Sequence, residues 1–379
     1  MLRTYNSPTN LYFYARYLAC RESETKYCFI QDDDYLILPS VLLNMHSYFL
    51  LNPNMTSLHL LPPHEHLSSR LRTVYEPENG IYSSFAWLGH GTFLRRSTME
   101  EFLALLQELQ FSEAERQMAD NYFTILANKV PEIWFDHGIE LGGGQPFTVG
   151  AEGQTRNERH ISKAMEYLRA TLEARKLRYM PYISEGSTRQ NFIVNSSPIK
   201  HSSGVLSSNI KLFSRKLDLS KISDPNLHQD MSLDDDDIRA YIVNPLSNIV
   251  DGDPRTSFIS PNGAEPGDWL VYDTLGPLDS NGSSVELVLL AEGATADMLT
   301  ACTFSKSFGD KIWEILDTSA VCKETDLQSP NGGRLSECSI QMVGCDESSS
   351  FRAFKVTFSG PERKHVWSIN EMFVRMVKD

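Results

Sequence analysis

"YCFIQDDDYL", residues 27–36, sets an apolar run, Tyr27 to Ile30, almost directly against three carboxylates, Asp32, Asp33 and Asp34. A short apolar run bounded by polar residues suits a buried strand. In α/β domains ligands bind at the carboxyl ends of strands, so a strand ending in this triplet places charge at a binding edge. If extension continues, Asp32 and Asp34 point to the same side, because the side-chain period is two. Like charges so close oppose each other's ionisation unless a cation neutralises them. Carboxylate oxygens suit Mg2+ or Mn2+. The alternative is a solvated acidic turn.

Outward from the triplet, the first half alternates helix and strand, the pattern of an α/β domain. Residues 10–21 read as a helix, 26–31 as the strand, 38–51 as a helix with Pro39 in its first turn, and 56–61 and 91–96 as strands. Ser97 with Glu100, and Ser112 with Glu115, have capping-box spacing. They predict two helices, the second running to about residue 128. Gly142–Gly144 fall in a loop, and 160–176 read as a helix. Residues 181–235, rich in Ser and Asn, read as a connector with short ordered pieces, and Asp234–Asp237 as a solvated block. From 236 onward, short strands at 268–274, 284–292, 311–316, 338–344, 351–360 and 367–376 predict an antiparallel sandwich. The expected division is therefore 1–180, 181–235 and 236–379.

The composition is that of a globular protein, with 41% hydrophobic and 22% charged residues. A net charge of −14 disfavours nucleic acid as a partner. No apolar run reaches the roughly 18 residues of a membrane span, and the N-terminus lacks the apolar core of a signal peptide. Sequons stand at Asn54, Asn195 and Asn281. Of six cysteines none makes a CxxC pair, which argues against structural zinc. Cys302, Cys322, Cys338 and Cys345 are either disulfide-bonded or buried thiols.

"YCFIQDDDYLILP", residues 27–39, resembles the DxD segment of nucleotide-sugar glycosyltransferases of the GT-A fold, and "FAWLGHGTFLRRS", residues 85–97, extends the likeness over about 10–160. The resemblance implies that Asp32 and Asp34 hold Mn2+ (or Mg2+) on the diphosphate of a sugar donor, with Asp33 touching ribose or sugar. It implies that Gly89 and Gly91 line the donor and acceptor pocket. Asp120 would act as general base on the acceptor hydroxyl, against a surface pair with Arg116. His137 would complete the metal site, with His160 and His90 as substitutes, against a turn histidine bonded to backbone. Gly143, within the glycine run, would let backbone N–H groups approach the diphosphate, against a flexible acceptor-side loop. Trp87 would stack on a sugar or sit in the core.

"IVDGDPRTSFISPNGAEPGDWLVYDT", residues 249–274, resembles the discoidin-like, galactose-binding type of jelly-roll-like β-sandwich through Asp251, Gly252, Asp253, Thr256, Trp269, Leu270 and Asp273. It implies glycan or partner binding, against a packing module that binds nothing. Trp269, Trp313 and Trp367 are assigned to the core. The expected function is a metal-dependent glycosyltransferase moving a sugar from a nucleotide-sugar donor to a glycan or glycoprotein acceptor. The alternative is a non-catalytic carbohydrate-binding protein with a vestigial transferase domain; a metal-dependent hydrolase is a third reading. Only 31 residues precede Asp32. The expectation is that a nucleotide-binding half, and with it any membrane anchor, belongs to a segment missing from this chain, and that the protein works in the secretory pathway or Golgi.

Overall fold

The computed structural model describes residues 4–63, 65–66, 69, 73–136, 138–142, 151–174, 180–185, 194–212, 235–278, 284–309, 312–330, 332–342, 351–362 and 364–377. In the first half these form α1 (Tyr14–Arg21), β1 (Tyr27–Ile30), β2 (Tyr35–Leu36), α2 (Pro39–Leu51), β3 (Ser57–Leu61), β4 (Val74–Glu76), β5 (Ile81–Ser83) and β6 (Thr92–Arg95). They continue with α3 (Arg96–Glu108), α4 (Glu113–Gln117), α5 (Asp120–Leu126), β7 (Glu132–Phe135), β8 (Ile139–Glu140) and α6 (Ala151–Glu173). Then follow β9 (Asn195–Pro198), β10 (Val205–Ser208), α7 (Asp235–Val243), β11 (Phe258–Gly263), β12 (Trp269–Leu278), β13 (Ser284–Glu292) and α8 (Gly293–Leu299). The last elements are β14 (Cys302–Ser307), β15 (Glu314–Ile315), β16 (Val321–Gln328), β17 (Arg334–Met342), β18 (Phe351–Phe358) and β19 (Val366–Val377).

A single ten-stranded sheet, ordered β1-β6-β3-β7-β9-β10-β12-β18-β14-β15, runs through both halves. The middle of it comes from the span read as a connector. There β9 lies parallel to β7, and β10 turns back to pair antiparallel with β12, Leu206 opposite Tyr272. The turn between them needs Gly204. Its φ is +155°, and a Cβ would stand 2.5 Å from Ile199 Cδ1 and 2.7 Å from the Asp273 carbonyl oxygen. Asn44 of α2, 1% exposed, pins this hairpin. Its Nδ2 donates to the carbonyls of Ile199 (3.0 Å) and Ser202 (3.3 Å), and its Oδ1 accepts from the Gly204 N–H (2.9 Å).

The second half is a sandwich. A five-stranded sheet, β11-β19-β13-β17-β16, packs on the β12, β18 and β14 end of the large sheet. Phe258, Leu287, Leu289, Ile340, Trp367 and Ile369 meet Leu270, Tyr272, Phe304, Phe354 and Val356 in one core. Strand alternation then turns Trp269 and Lys355 to the opposite, outer face. Trp367 is core as expected from the sequence, but Trp269 and Trp313 are not. They are half-exposed and flank the Lys355 ammonium, with ring centroids at 5.4 and 5.6 Å.

Local expectations divide. The Ser112–Glu115 capping box forms, and the helix it starts breaks at Met118 and Ala119 before α5. No box forms at Ser97, because α3 begins at Arg96, straight out of β6, whose end is held by the Arg96 N–H on the Lys26 carbonyl (2.9 Å). The long helix starts at Ala151 rather than 160. The strand expected at 311–316 is confined to Glu314–Ile315. Cys20 pairs with Cys28 and Cys322 with Cys338, while Cys302 has no disulfide partner among the described residues. Cys345 lies outside the described residues.

An Asn44→Ala variant would leave the hairpin's buried backbone groups without partners. It should lose about 2–3 kcal/mol of stability in chemical denaturation; a loss under about 0.5 kcal/mol would show that the hairpin holds without this side chain.

Candidate functional site

The triplet leaves β1 at the rim of the large sheet. Among the described residues β1 has one strand neighbour, β6, with Ile30 opposite Thr92. Beyond it the backbone stays tied to the segment before β6, as the Asp32 N–H donates to the Gly89 carbonyl at 2.7 Å. That segment is deeply set: Phe85, Ala86 and Leu88 are fully buried. The Asp32 carboxylate lies flat against Gly89. A Cβ there would stand 2.1 Å from Asp32 Oδ2, so the carboxylate occupies the space that glycine leaves open. Gly91 is under similar pressure from Phe29 and Leu60, at 3.1 and 3.2 Å.

Beneath Asp32 lies Arg16, one turn into α1. Its Nη2 donates to Asp32 Oδ1 at 2.6 Å and its Nη1 to Asp120 Oδ2 at 2.9 Å. Tyr17, the next residue and fully buried, donates its hydroxyl to Asp120 Oδ1 at 2.9 Å. The burial gradient runs outward: the side chains of Asp120, Arg16 and Asp32 are 1%, 16% and 40% exposed. Burial drives the Asp120 carboxyl up to about 6, against the pull of Arg16 and the Tyr17 hydrogen bond. Burial also raises Asp32; Arg16 opposes it, and the charges of Asp34 and Asp33 add to it. The Asp120 carboxyl thus keeps its proton to about pH 6 when folded, above the ordinary aspartate range. It costs stability, and the cost grows as pH rises through that window.

The structure therefore joins Asp32 and Asp120 through one cation, with Gly89 packed against Asp32. The partner of Asp120 is not Arg116, its neighbour in sequence, but Arg16, 104 residues away. Neither Arg16 nor Tyr17 stood out in the sequence, since "YARYLA" reads only as part of a helix. Asp120, expected as the base, has both oxygens engaged and so offers no free oxygen to an acceptor in this conformation. Asp33 and Asp34 are exposed; the Asp34 carbonyl accepts from the Leu141 N–H at 2.9 Å, beside the β2–β8 pair. His90 sits over Tyr35, ring centroids 4.2 Å apart, and His160 bonds the Tyr122 hydroxyl at 2.6 Å. Trp87 is half-buried and packs edge-on against Phe85 at 4.8 Å. His137 and Gly143 lie outside the described residues.

Among the described residues no group of three or more His, Cys, Asp or Glu side chains gathers as a metal cluster. The cation expected from the sequence has a definite donor requirement. Mg2+ and similar cations are held by one or two carboxylates, with substrate phosphates and water completing the shell. Asp32 and Asp34 are carboxylates at the solvent-facing rim, but the chain turns at residues 33–34 instead of staying extended, so strand alternation does not set them on one side, and Asp32 Oδ1 is taken by Arg16.

No protein-family model matches the chain, and no curated protein matches it. Solved structures similar to it include chitosan-binding module 1 of a chitosanase/glucanase from Paenibacillus sp. IK-5, at 18% identity over 34% of this chain and 83% of that one, with a TM-score of 0.22. Another is CBM32-1 of a family 31 glycoside hydrolase from Clostridium perfringens, at 17% identity over 35% and 83%, TM-score 0.23. A third is the CBM32 of AlyQ in complex with 4,5-unsaturated mannuronic acid, at 16% identity over 35% and 84%, TM-score 0.22. The sandwich described above rests on its own strand order and core.

Two outcomes test this geometry. In carboxyl-resolved NMR, Asp120 should titrate near pH 6, and Arg16→Gln should move its midpoint higher; an unmoved midpoint would mean that Arg16 does not bear on it. Gly89→Ala should expel the Asp32 carboxylate and abolish the Arg16–Asp32 contact in a crystal structure, whereas a retained contact would show that the glycine is not needed there.

Proposed function

We propose that the protein is a metal-dependent glycosyltransferase that takes its sugar from a nucleotide-sugar donor, with Asp32 as the carboxylate at the centre of the donor site. The observation that carries this reading is the placement of Asp32, laid against Gly89 at the end of β1 and held by a guanidinium that reaches down to a buried second carboxylate. Asp32 and Asp34 would hold a divalent cation, which when bound acts as a Lewis acid on the departing diphosphate. Asp33 would reach the ribose or sugar.

Arg16 has the larger part among the chain's own groups. Its charge opposes the upward shift that burial gives Asp32, and its fork geometry suits phosphate as well as carboxylate. A diphosphate arriving at Asp32 would compete for that guanidinium. Once Arg16 turns toward the phosphates, Asp120 loses the charge that opposes its protonation, and the higher proton affinity that follows suits a group that accepts a proton from an acceptor hydroxyl. Until then Asp120 serves to position Arg16.

A second reading, compatible with the first, places carbohydrate binding in the sandwich. Trp269, Lys355 and Trp313 support it: two half-exposed indoles on either side of one ammonium can stack on sugar faces. The glycan or glycoprotein acceptor would be held there. The two disulfides support maturation in an oxidising compartment, in keeping with a secretory location.

Titration calorimetry with nucleoside diphosphates should show binding that requires Mn2+ or Mg2+ and that falls at least about tenfold, some 1.4 kcal/mol, in Asp32→Asn. Metal-independent binding, or an Asp32→Asn variant that binds as well, would overturn the donor-site reading. For the sandwich, Trp269→Ala and Trp313→Ala should each weaken binding on a glycan panel without lowering the melting temperature; unchanged affinity in both would remove the second reading.

A further inference from the structure

The three sequons stand in different surroundings. Asn195 is the first residue of β9, 5% exposed, and its Nδ2 donates to the Ile210 carbonyl at 3.2 Å. A sugar on that nitrogen would replace one of its two hydrogens and, at a side chain this buried, could not be housed in the sheet. Asn281 lies outside the described residues. Asn54 is different: it is exposed, in the turn between α2 and β3 that begins "NPNMT". Beside it opens a cleft of about 430 Å3 lined by Met55, Lys129, Val130 and Pro131 among others. The Asn54 turn lies before the first residue of β3, whereas Gly91 bonds to Leu60 near that strand's far end, so the turn sits away from the Asp32 rim.

We infer that Asn54 carries an N-linked glycan in the mature protein and that Asn195 does not. Three observations meet here. The Asn54-Met55-Thr56 sequence has the acceptor pattern. Its asparagine is exposed on a turn, with open volume beside it for a first sugar. The same chain carries Cys20–Cys28 and Cys322–Cys338 disulfides, whose persistence belongs to the compartments where such glycans are attached. The inference stands whether or not the chain transfers sugars itself. In the step, Asn54 Nδ2 forms a bond to the anomeric carbon of the first N-acetylhexosamine of a lipid-diphosphate-linked oligosaccharide. The bond from that carbon to the diphosphate oxygen breaks, the lipid diphosphate leaves with the electron pair, and the amide gives up one proton.

The test is secretion of the full chain, fused to a cleavable signal peptide, from a eukaryotic host, followed by peptide:N-glycosidase treatment in heavy-oxygen water and peptide mass spectrometry. Position 54 should read as aspartate bearing one heavy oxygen, and position 195 as unmodified asparagine. Asn54→Gln and Thr56→Ala should each abolish the signal at 54. Thr56→Ser, which keeps the hydroxyl, should retain it and so separates loss of the acceptor pattern from misfolding. Unmodified Asn54 in secreted chain whose Cys20–Cys28 bond has formed would overturn the inference, as would a glycan on Asn195.

Discussion

One guanidinium organises the first half of this protein. Arg16 bridges a carboxylate at the rim, Asp32, to a carboxylate in the interior, Asp120. A lone buried carboxylate is costly, and breaking such a pair from one side leaves an uncompensated charge worth about 3–5 kcal/mol. The bridge therefore ties three distant segments together: the start of α1, the end of β1 and the start of α5. Tyr17 fills the last oxygen of Asp120, so the interior end is fully satisfied while the rim end keeps an oxygen facing Gly89. An inner end that is closed and an outer end that is partly open is an arrangement suited to a ligand that competes for the cation.

The second constraint is continuity. One hydrogen-bonded sheet passes from β1 through the β9–β10 hairpin into the sandwich. The sandwich shares a backbone ladder with the α/β half, and the Asn44 contacts fix the angle between α2 and the hairpin. A ligand on the outer face near Trp269 and one at Asp32 would thus be held on a common frame, separated by most of the sheet's ten strands, about 4.8 Å apart each.

What could be read from the sequence was local. The apolar run of β1, Pro39 at the start of α2 and the Ser112–Glu115 box depend on residues within a few positions of one another, and each formed where the pattern put it. The Ser97 box failed because the chain enters α3 without the extended residue that such a cap needs at Ser97. The hairpin was hidden because "NSSP" and "VLSS" bury serines, which carry no hydrophobic alternation. Trp269 was misplaced because strand parity, not size, decides which face a tryptophan takes, and Trp313 because it precedes the two-residue β15 rather than lying in a strand. Asp32 and Asp120 were legible as acidic residues in meaningful places. Their connection was not, since Arg16 is one unremarkable cation in a helix and meets Asp120 only through the fold.

The central claim is that Asp32, poised by Arg16, is where a metal and a donor diphosphate meet. Crystals grown with Mn2+ and a nucleoside diphosphate, measured at the manganese absorption edge, address it directly. The account predicts an anomalous peak between the Asp32 carboxylate and the diphosphate, with the Arg16 guanidinium turned from Asp120 toward phosphate. A bound nucleotide whose manganese lies away from Asp32, with the Arg16 bridge intact, would contradict it.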